Sequence, residues 1–504
     1  MNKGIVANSA FNAAAGLTLL ATGFLCSIFI ARMLGPEANG VVAFSVWLAS
    51  TAALVAELGT GILLLRLLPR LRAEGYSEQD RKGFAAYLLW PVVGSTLLLL
   101  ALYFLFFWVA EAEHWAKTSP VVLIITGILF VTQSIGMFTK NYLVGEQRVD
   151  IFFRMTLTAG LLQLAGVVVG GLVWGMSGAL AGYVLAYVSQ FLFALGLLRS
   201  RVKTCGIGPR YLAGSSFILS LEFMVDSIFL NRIELFFLQR YQGVETVGYY
   251  AVAFSLANLA LQLPIQLSGS LVPYYSEHLQ REPSGRLPVA MFSSVVRSLA
   301  YFTLPMSFGL AAISHRLVTM VFGDAFAPSA SVLSILALSV PLVVACQVGT
   351  QYMFAIDKIR ERLFVGLGCA VIMLGGDVIL IPTYAGEGAA FVRILVFLVM
   401  SIVMLRWMNF EGSLTPLGIS LIKVAVASGL CAAAAFAVLQ ALSGLAGLLL
   451  AILAAVFAYL LALKLLRVVP MGDVAVMSRL SSRLPRRLVG PFNFVLMQLS
   501  NGKA

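Results

Sequence analysis

The sequence predicts an all-α polytopic membrane protein of about 14 transmembrane helices: two six-helix bundles as a parallel repeat, plus helices 13 and 14. Three observations predict it. Of 504 residues, 60% are hydrophobic and 11% charged, whereas a soluble domain is nearer half apolar and a quarter charged. The apolar residues fall in blocks of about twenty or more, and about 20 helical residues at 1.5 Å each match a hydrocarbon core about 30 Å thick. A sequence pattern also recurs at a fixed shift, which points to duplication. These observations exclude a soluble enzyme, a disordered chain, a coiled coil and a disulfide-stapled secreted module. The five cysteines show no paired spacing, so neither a disulfide nor a zinc site is expected, and no cofactor is called for.

Apolar blocks bounded by charge, Gly or Pro run over about 9–31, 40–65, 84–109, 119–144, 152–174, 178–198 and 211–238. They continue over about 247–275, 288–313, 329–355, 362–382, 386–405, 417–441 and 445–468. The first is too long for a signal-peptide core and should remain as an anchor. Short loops rich in Lys and Arg stay cytoplasmic. Placing the N-terminus inside puts 26 of the 34 basic residues in cytoplasmic segments, so both termini are expected there. The net charge of +12 is then a topology signal and an attraction to anionic lipid headgroups, and no nucleic-acid partner is implied. No loop between spans is long enough to house a catalytic domain. In the tail, 469–504, Met477, Leu480, Leu484, Leu488 and Phe492 recur among four arginines. It reads either as a basic amphipathic segment on the inner leaflet or as a charged tail that completes the topology signal.

Arg32-x-x-Gly35-x-Glu37-x-x-Gly40-x-x-Ala43 recurs as Arg240-x-x-Gly243-x-Glu245-x-x-Gly248-x-x-Ala251, shifted by 208 residues. Both copies follow the first helix of a half. Six spans separate them, so the halves cross in the same direction and are related about the membrane normal. The expected divisions are 1–205 and 206–410 for the two bundles, 411–468 for helices 13 and 14, and 469–504 for the tail. Duplicated bundles of this kind suit alternating access.

The chain resembles the Wzx-like polysaccharide or O-antigen flippases of the multidrug, oligosaccharidyl-lipid and polysaccharide exporter superfamily. The matching stretches are Asn8-Ser9-x-Phe11, Ala31-Arg32-x-Leu34-Gly35-Pro36-x-x-x-Gly40, Glu57-Leu58-Gly59-x-Gly61 and Val321-Phe322-Gly323-Asp324. The resemblance implies translocation of an undecaprenyl-diphosphate-linked oligosaccharide across the inner membrane for lipopolysaccharide, capsule or exopolysaccharide assembly. It implies a lipid-linked oligosaccharide as cargo, membrane lipids as surroundings, and a polysaccharide polymerase and chain-length regulator as partners. A lipid II flippase or a multidrug exporter of the same superfamily is the alternative, with a membrane glycan polymerase or ligase behind them.

The chain has no phosphate-binding Gly-x-x-x-x-Gly-Lys-Ser/Thr, no His-Glu-x-x-His and no Gly-x-Ser-x-Gly, which disfavours ATP use and catalysis. The remaining task is to carry hydroxyls and a diphosphate through hydrocarbon, where an unpaired hydroxyl costs about 2 to 7 kcal/mol. Ionisable residues inside spans are therefore the candidates. Glu222 and Asp226, four apart on span 7, and Glu57, deep in span 2, are read as ion-coupling residues or as structural partners of nearby bases. Arg297, Arg393 and Arg232 are read as diphosphate-binding or as snorkelling to headgroups. Glu234, near the outer end of span 7, is expected to snorkel. Gly59 and Gly61 read as sites of close helix approach, and Gly375-Gly376 with Pro382 as a bendable stretch around Asp377.

Overall fold

A computed structural model describes residues 3–109, 115, 119–268, 271, 275, 287–408, 410–411, 413–468 and 470. The tail read as amphipathic lies outside the described residues, apart from residue 470. The helices in order are α1 (Lys3–Glu57), α2 (Thr60–Ala73), α3 (Glu78–Val109), α4 (Pro120–Gly145), α5 (Val149–Leu198), α6 (Pro209–Met224) and α7 (Glu234–Gln242). They continue as α8 (Val244–Ser268), α9 (Val289–Phe322), α10 (Ser329–Ala355), α11 (Ile359–Trp407), α12 (Thr415–Ala441) and α13 (Gly444–Leu465). Among the described residues the sole sheet is a two-residue parallel bridge, Leu287–Pro288 with Phe410–Glu411.

Ten helical stretches are long and apolar enough to cross a bilayer. Ala14–Glu57, Val149–Leu198 and Ile359–Trp407 run 44, 50 and 49 residues, each enough for two crossings. Each doubles at one left-handed residue: Gly35 (φ 83°), Gly175 (φ 60°) and Ala385 (φ 48°). Counting these as pairs, and adding span 7, which is divided between α6 and α7, gives the expected fourteen. Gly375 and Gly376 stay helical; Gly376 instead leaves room for Val392, whose Cγ1 would lie 2.8 Å from an added Cβ.

The duplication is written in the backbone. Gly35 (φ 83°, ψ −177°) and Gly243 (φ 87°, ψ 176°), 208 residues apart, share one conformation. Gly175 (φ 60°, ψ −138°) and Ala385 (φ 48°, ψ −129°), 210 apart, share another, as do Gln147 (φ 57°) and Asp357 (φ 59°). Four of these six are not in the sequence pattern that suggested the repeat.

The chain divides into two compact units. One comprises Met1–Ala251 with Asp377–Ala385, the other Val252–Gly376 with Gly386–Ala504. The first reaches past residue 205 because the two repeat copies meet inside it. A Cβ on Gly40 would lie 1.7 Å from the Val244 carbonyl oxygen, and one on Gly248 would lie 2.2 Å from that of Pro36. Asn39 Nδ2 donates to the Gly248 carbonyl at 3.1 Å. Glycine at both positions permits backbone-to-backbone contact.

Within the first unit α4 is a polar spine. Gln133 donates to Ser50 (2.8 Å), Thr139 to the Gln190 carbonyl (2.7 Å), and Ser134 shares a bond with Thr96 (2.7 Å). Leu63, Leu64, Leu67, Phe84, Leu89 and Phe138 pack beside it. In the second unit α9 packs on α10 and α12, and α12 on α13, with Ala427, Ala435, Ala451 and Ala455 buried where the last two helices meet. Pro341 cannot supply an N–H to the Ala337 carbonyl; Ser307 of α9 donates to that carbonyl at 2.6 Å.

At the end of the first unit expected to face the cytoplasm, Glu146 follows α4 and is buried. Its carboxylate accepts from Arg81 Nε and from Arg72 Nη2, both at 2.7 Å. Burial pushes its pKa up, but the two guanidinium groups prevail and the net shift is downward. A lowered carboxyl stabilises the fold fully above its unfolded value, about 4.3, and less as pH falls through its folded value. Glu146→Gln should cost about 3 kcal/mol, the low end for a buried pair because Arg72 is 39% exposed. Thermal unfolding in detergent should show a lower Tm at pH 7, with the gap to the parent chain closing below about pH 4.

Candidate functional site

Span 2 is not one helix. α1 stops at Glu57, Leu58 (φ 52°) and Gly59 (φ 69°) are left-handed, and α2 starts at Thr60. A break inside hydrocarbon frees carbonyls that water cannot reach. Ser95 of α3 donates to the Ala56 carbonyl at 2.5 Å, and Thr60 Oγ1 to that of Glu57 at 2.8 Å. Glu57 is 4% exposed, and Asn141 Nδ2 of α4 donates to its Oε1 at 2.7 Å. An added Cβ on Gly61 would lie 1.8 Å from Glu57 Oε1 and 2.1 Å from Asn141 Nδ2. The two glycines therefore act differently from the close helix approach expected of both: Gly59 takes a left-handed turn, and Gly61 makes room for a carboxylate.

Span 7 is interrupted too. A π-helical stretch, Val225–Phe229, separates α6 from a turn leading to α7, and Leu230 N–H donates five residues back to Val225. Asp226 sits half-buried in that stretch, while the Glu222 side chain lies outside the described residues. The pair thus straddles a change of winding of the sort common at functional sites.

Glu234 does not snorkel: it is fully buried, and Tyr250 O–H donates to its Oε1 at 2.8 Å. Arg232, two residues away, is half-buried. Asp377 of α11 is also fully buried in the same unit, and Gln242 at the end of α7 donates to the Ile381 and Pro382 carbonyls at 3.1 and 2.9 Å. Sequence reasoning missed the burial of Glu234 and Asp377. The signal available was their position inside spans, which alone does not distinguish an inward from an outward face.

In the second unit Arg297 lies half-buried two turns into α9. Arg393 is 4% exposed, with its guanidinium 5.2 Å from the Phe254 ring centroid and 5.0 Å from that of Phe397. Two such stacks are worth about 1 to 2 kcal/mol each when desolvated. Arg362, at the start of the span expected over 362–382, is 3% exposed, with Nε 3.5 Å from Thr350 Oγ1. Among the described residues no cluster of His, Cys, Asp and Glu could hold a metal ion.

Residues 29–331 match the family model described as polysaccharide biosynthesis protein. The chain belongs to this polysaccharide biosynthesis family. It is 22% identical over 409 residues to the succinoglycan biosynthesis transport protein ExoT of Rhizobium meliloti (strain 1021), covering 78% of this chain and 77% of that one. Its fold matches a lipid II flippase, MurJ, in an inward closed conformation, with a TM-score of 0.70 and 13% identity over 90% of this chain and 98% of the other. A multidrug resistance transporter of the MATE family in an inward-facing conformation matches with a TM-score of 0.56 and 16% identity, over 77% of this chain and 93% of the other. Family and membrane-spanning helices together make the chain a multi-pass membrane protein of the polysaccharide biosynthesis family, with a fold shared with these transporters.

For this family member, Gly61→Ala is the most direct test of the Glu57 site. It should leave the protein in the membrane yet displace the Glu57–Asn141 bond and lower transport at least tenfold, measured as export of surface glycan. Unchanged export would remove Glu57 from the site.

Proposed function

We propose that this chain is a flippase that moves an undecaprenyl-diphosphate-linked oligosaccharide from the inner to the outer leaflet of a bacterial inner membrane by alternating access. It serves lipopolysaccharide, capsule or exopolysaccharide assembly, with both termini cytoplasmic and a polysaccharide polymerase and chain-length regulator as downstream partners. The observation that carries this reading is the polysaccharide biosynthesis family match over residues 29–331. The name of the succinoglycan transport relative points to an exported glycan in the same way.

Physical chemistry assigns the roles. An Arg about 4 Å from a phosphate contributes roughly 4 kcal/mol at an effective dielectric of 20, so Arg297 holds the diphosphate, and Arg232 serves the polar end of the cargo. Arg393, close to the Phe254 and Phe397 rings, adds a second contact. Glu57, Glu222 and Asp226 couple transport to a proton or cation. Asp226 has the π-helical setting, and Glu57 has a hydrogen-bonded pocket beside a helix break. A second reading, in which the cargo is lipid II, is favoured by the shared fold with the lipid II flippase over 90% of this chain.

The test is complementation. Arg297→Ala and Asp226→Asn should each abolish surface glycan while the protein remains in the membrane, and normal glycan in both would overturn the site assignment. The parent chain should restore glycan to a strain lacking its own oligosaccharide flippase. Rescue instead of a strain depleted of lipid II flippase would establish the second reading.

A further inference from the structure

Pro305 lies within α9. It has no N–H to give the carbonyl four residues back, and that carbonyl belongs to Tyr301. Tyr459 of α13 donates its hydroxyl to the Tyr301 carbonyl at 2.8 Å. The Tyr301 hydroxyl in turn donates to the Val468 carbonyl, just past the end of α13, at 3.4 Å. Tyr301 and Tyr459 are 4% and 8% exposed, so neither bond competes with water. One residue of α9 is thus fastened to α13 twice, and one of the fasteners replaces the bond that proline removes.

The position of the fastening gives it a consequence. Eight residues separate Pro305 from Arg297, about 12 Å along the helix, and both lie on α9 with the fastened carbonyl between them. A helix bends most easily where its ladder is interrupted. The direction taken by the segment from Val289 to Leu304 therefore depends on what holds the Tyr301 carbonyl. Ser307, two residues beyond Pro305, makes the matching contact with the Pro341-freed carbonyl of α10. α9 is thus fixed on its other side as well; Phe292 against Tyr352 of α10, ring centroids 5.8 Å apart, steadies the start of the segment bearing Arg297, and the Tyr459 bond holds it next to the proline.

We propose that Tyr459 is a positioning residue for the diphosphate site: its hydroxyl substitutes for the missing Pro305 N–H and sets the direction of the α9 segment that carries Arg297. Through this bond α12 and α13, which lie outside the duplicated bundles, act on the cargo site. The assignment of Arg297 to the diphosphate rests on the function proposed above; the fastening itself does not.

The experiment separates the two. Spin labels at Ala290→Cys and Leu465→Cys, both exposed positions of the same unit, are placed on a cysteine-free background in lipid nanodiscs. The parent chain should give one narrow distance distribution. Tyr459→Phe keeps the ring packing and removes only the hydroxyl, and should broaden or shift that distribution. In a Pro305→Ala background, where residue 305 has an N–H to offer Tyr301, Tyr459→Phe should change nothing. An unaltered distribution in Tyr459→Phe, or an equal change with and without Pro305, overturns the fastening.

Binding of undecaprenyl diphosphate to the same nanodiscs should weaken at least threefold in Tyr459→Phe and be unaffected by it in the Pro305→Ala background. A changed distribution with unchanged binding overturns the link to Arg297. A parent chain that does not bind undecaprenyl diphosphate overturns the proposed cargo and leaves the fastening in place.

Discussion

In hydrocarbon every backbone N–H and C=O must find a partner within the protein, and three interruptions of helices in this chain are met by side-chain hydroxyls. The break at Leu58-Gly59 frees carbonyls that Ser95 and Thr60 take up. Pro341 frees the Ala337 carbonyl for Ser307, and Pro305 frees that of Tyr301 for Tyr459. Unsatisfied, each such group would cost about 1 to 3 kcal/mol in a protein interior. The compensating hydroxyls are thus parts of the helices they cap, although the sequence places them as many as 158 residues away.

This constraint explains which parts of the molecule could be read in advance. Crossing a bilayer requires length and apolarity, and both are local, so the spans at Pro120–Gly145, Ser329–Ala355, Thr415–Ala441 and Gly444–Leu465 lie close to their expected bounds. The first repeat copy, Arg32 to Ala43, matched the second because a left-handed bend followed by a close crossing needs glycine at fixed offsets. Gly175 and Ala385 carry the same bend with different residues, which a comparison of letters does not detect. The breaks at Leu58 and in Val225–Phe229 were equally hidden. Leucine has no left-handed preference, and a π-turn has no residue signature. At Leu58 the partner that stabilises the break, Ser95, lies on another helix.

The candidate site was legible as a set of residue types and not as an arrangement. An ionisable residue inside a span announces itself by its cost, and that argument found Glu57, Asp226, Arg297 and Arg393. It could not find what each side chain faces. Glu234 expected a headgroup and met Tyr250; Arg393 was offered a phosphate or a headgroup and lies close to two phenylalanine rings. In each case the deciding neighbour lies elsewhere in the chain, on a helix whose rotation was not fixed by the pattern of apolar residues.

The contrast between Glu146 and Glu57 shows how the same side chain serves two ends. Glu146 lies between two guanidinium groups at 2.7 Å, so its charge is compensated and losing it costs stability; it binds the end of the first unit into one body. Glu57 has an amide at the same distance, which satisfies one oxygen without neutralising a charge. Beside it the helix is already broken at Leu58 and Gly59. The buried carboxylate and its amide partner are thus set where the helix already turns, at the junction of α1 and α2.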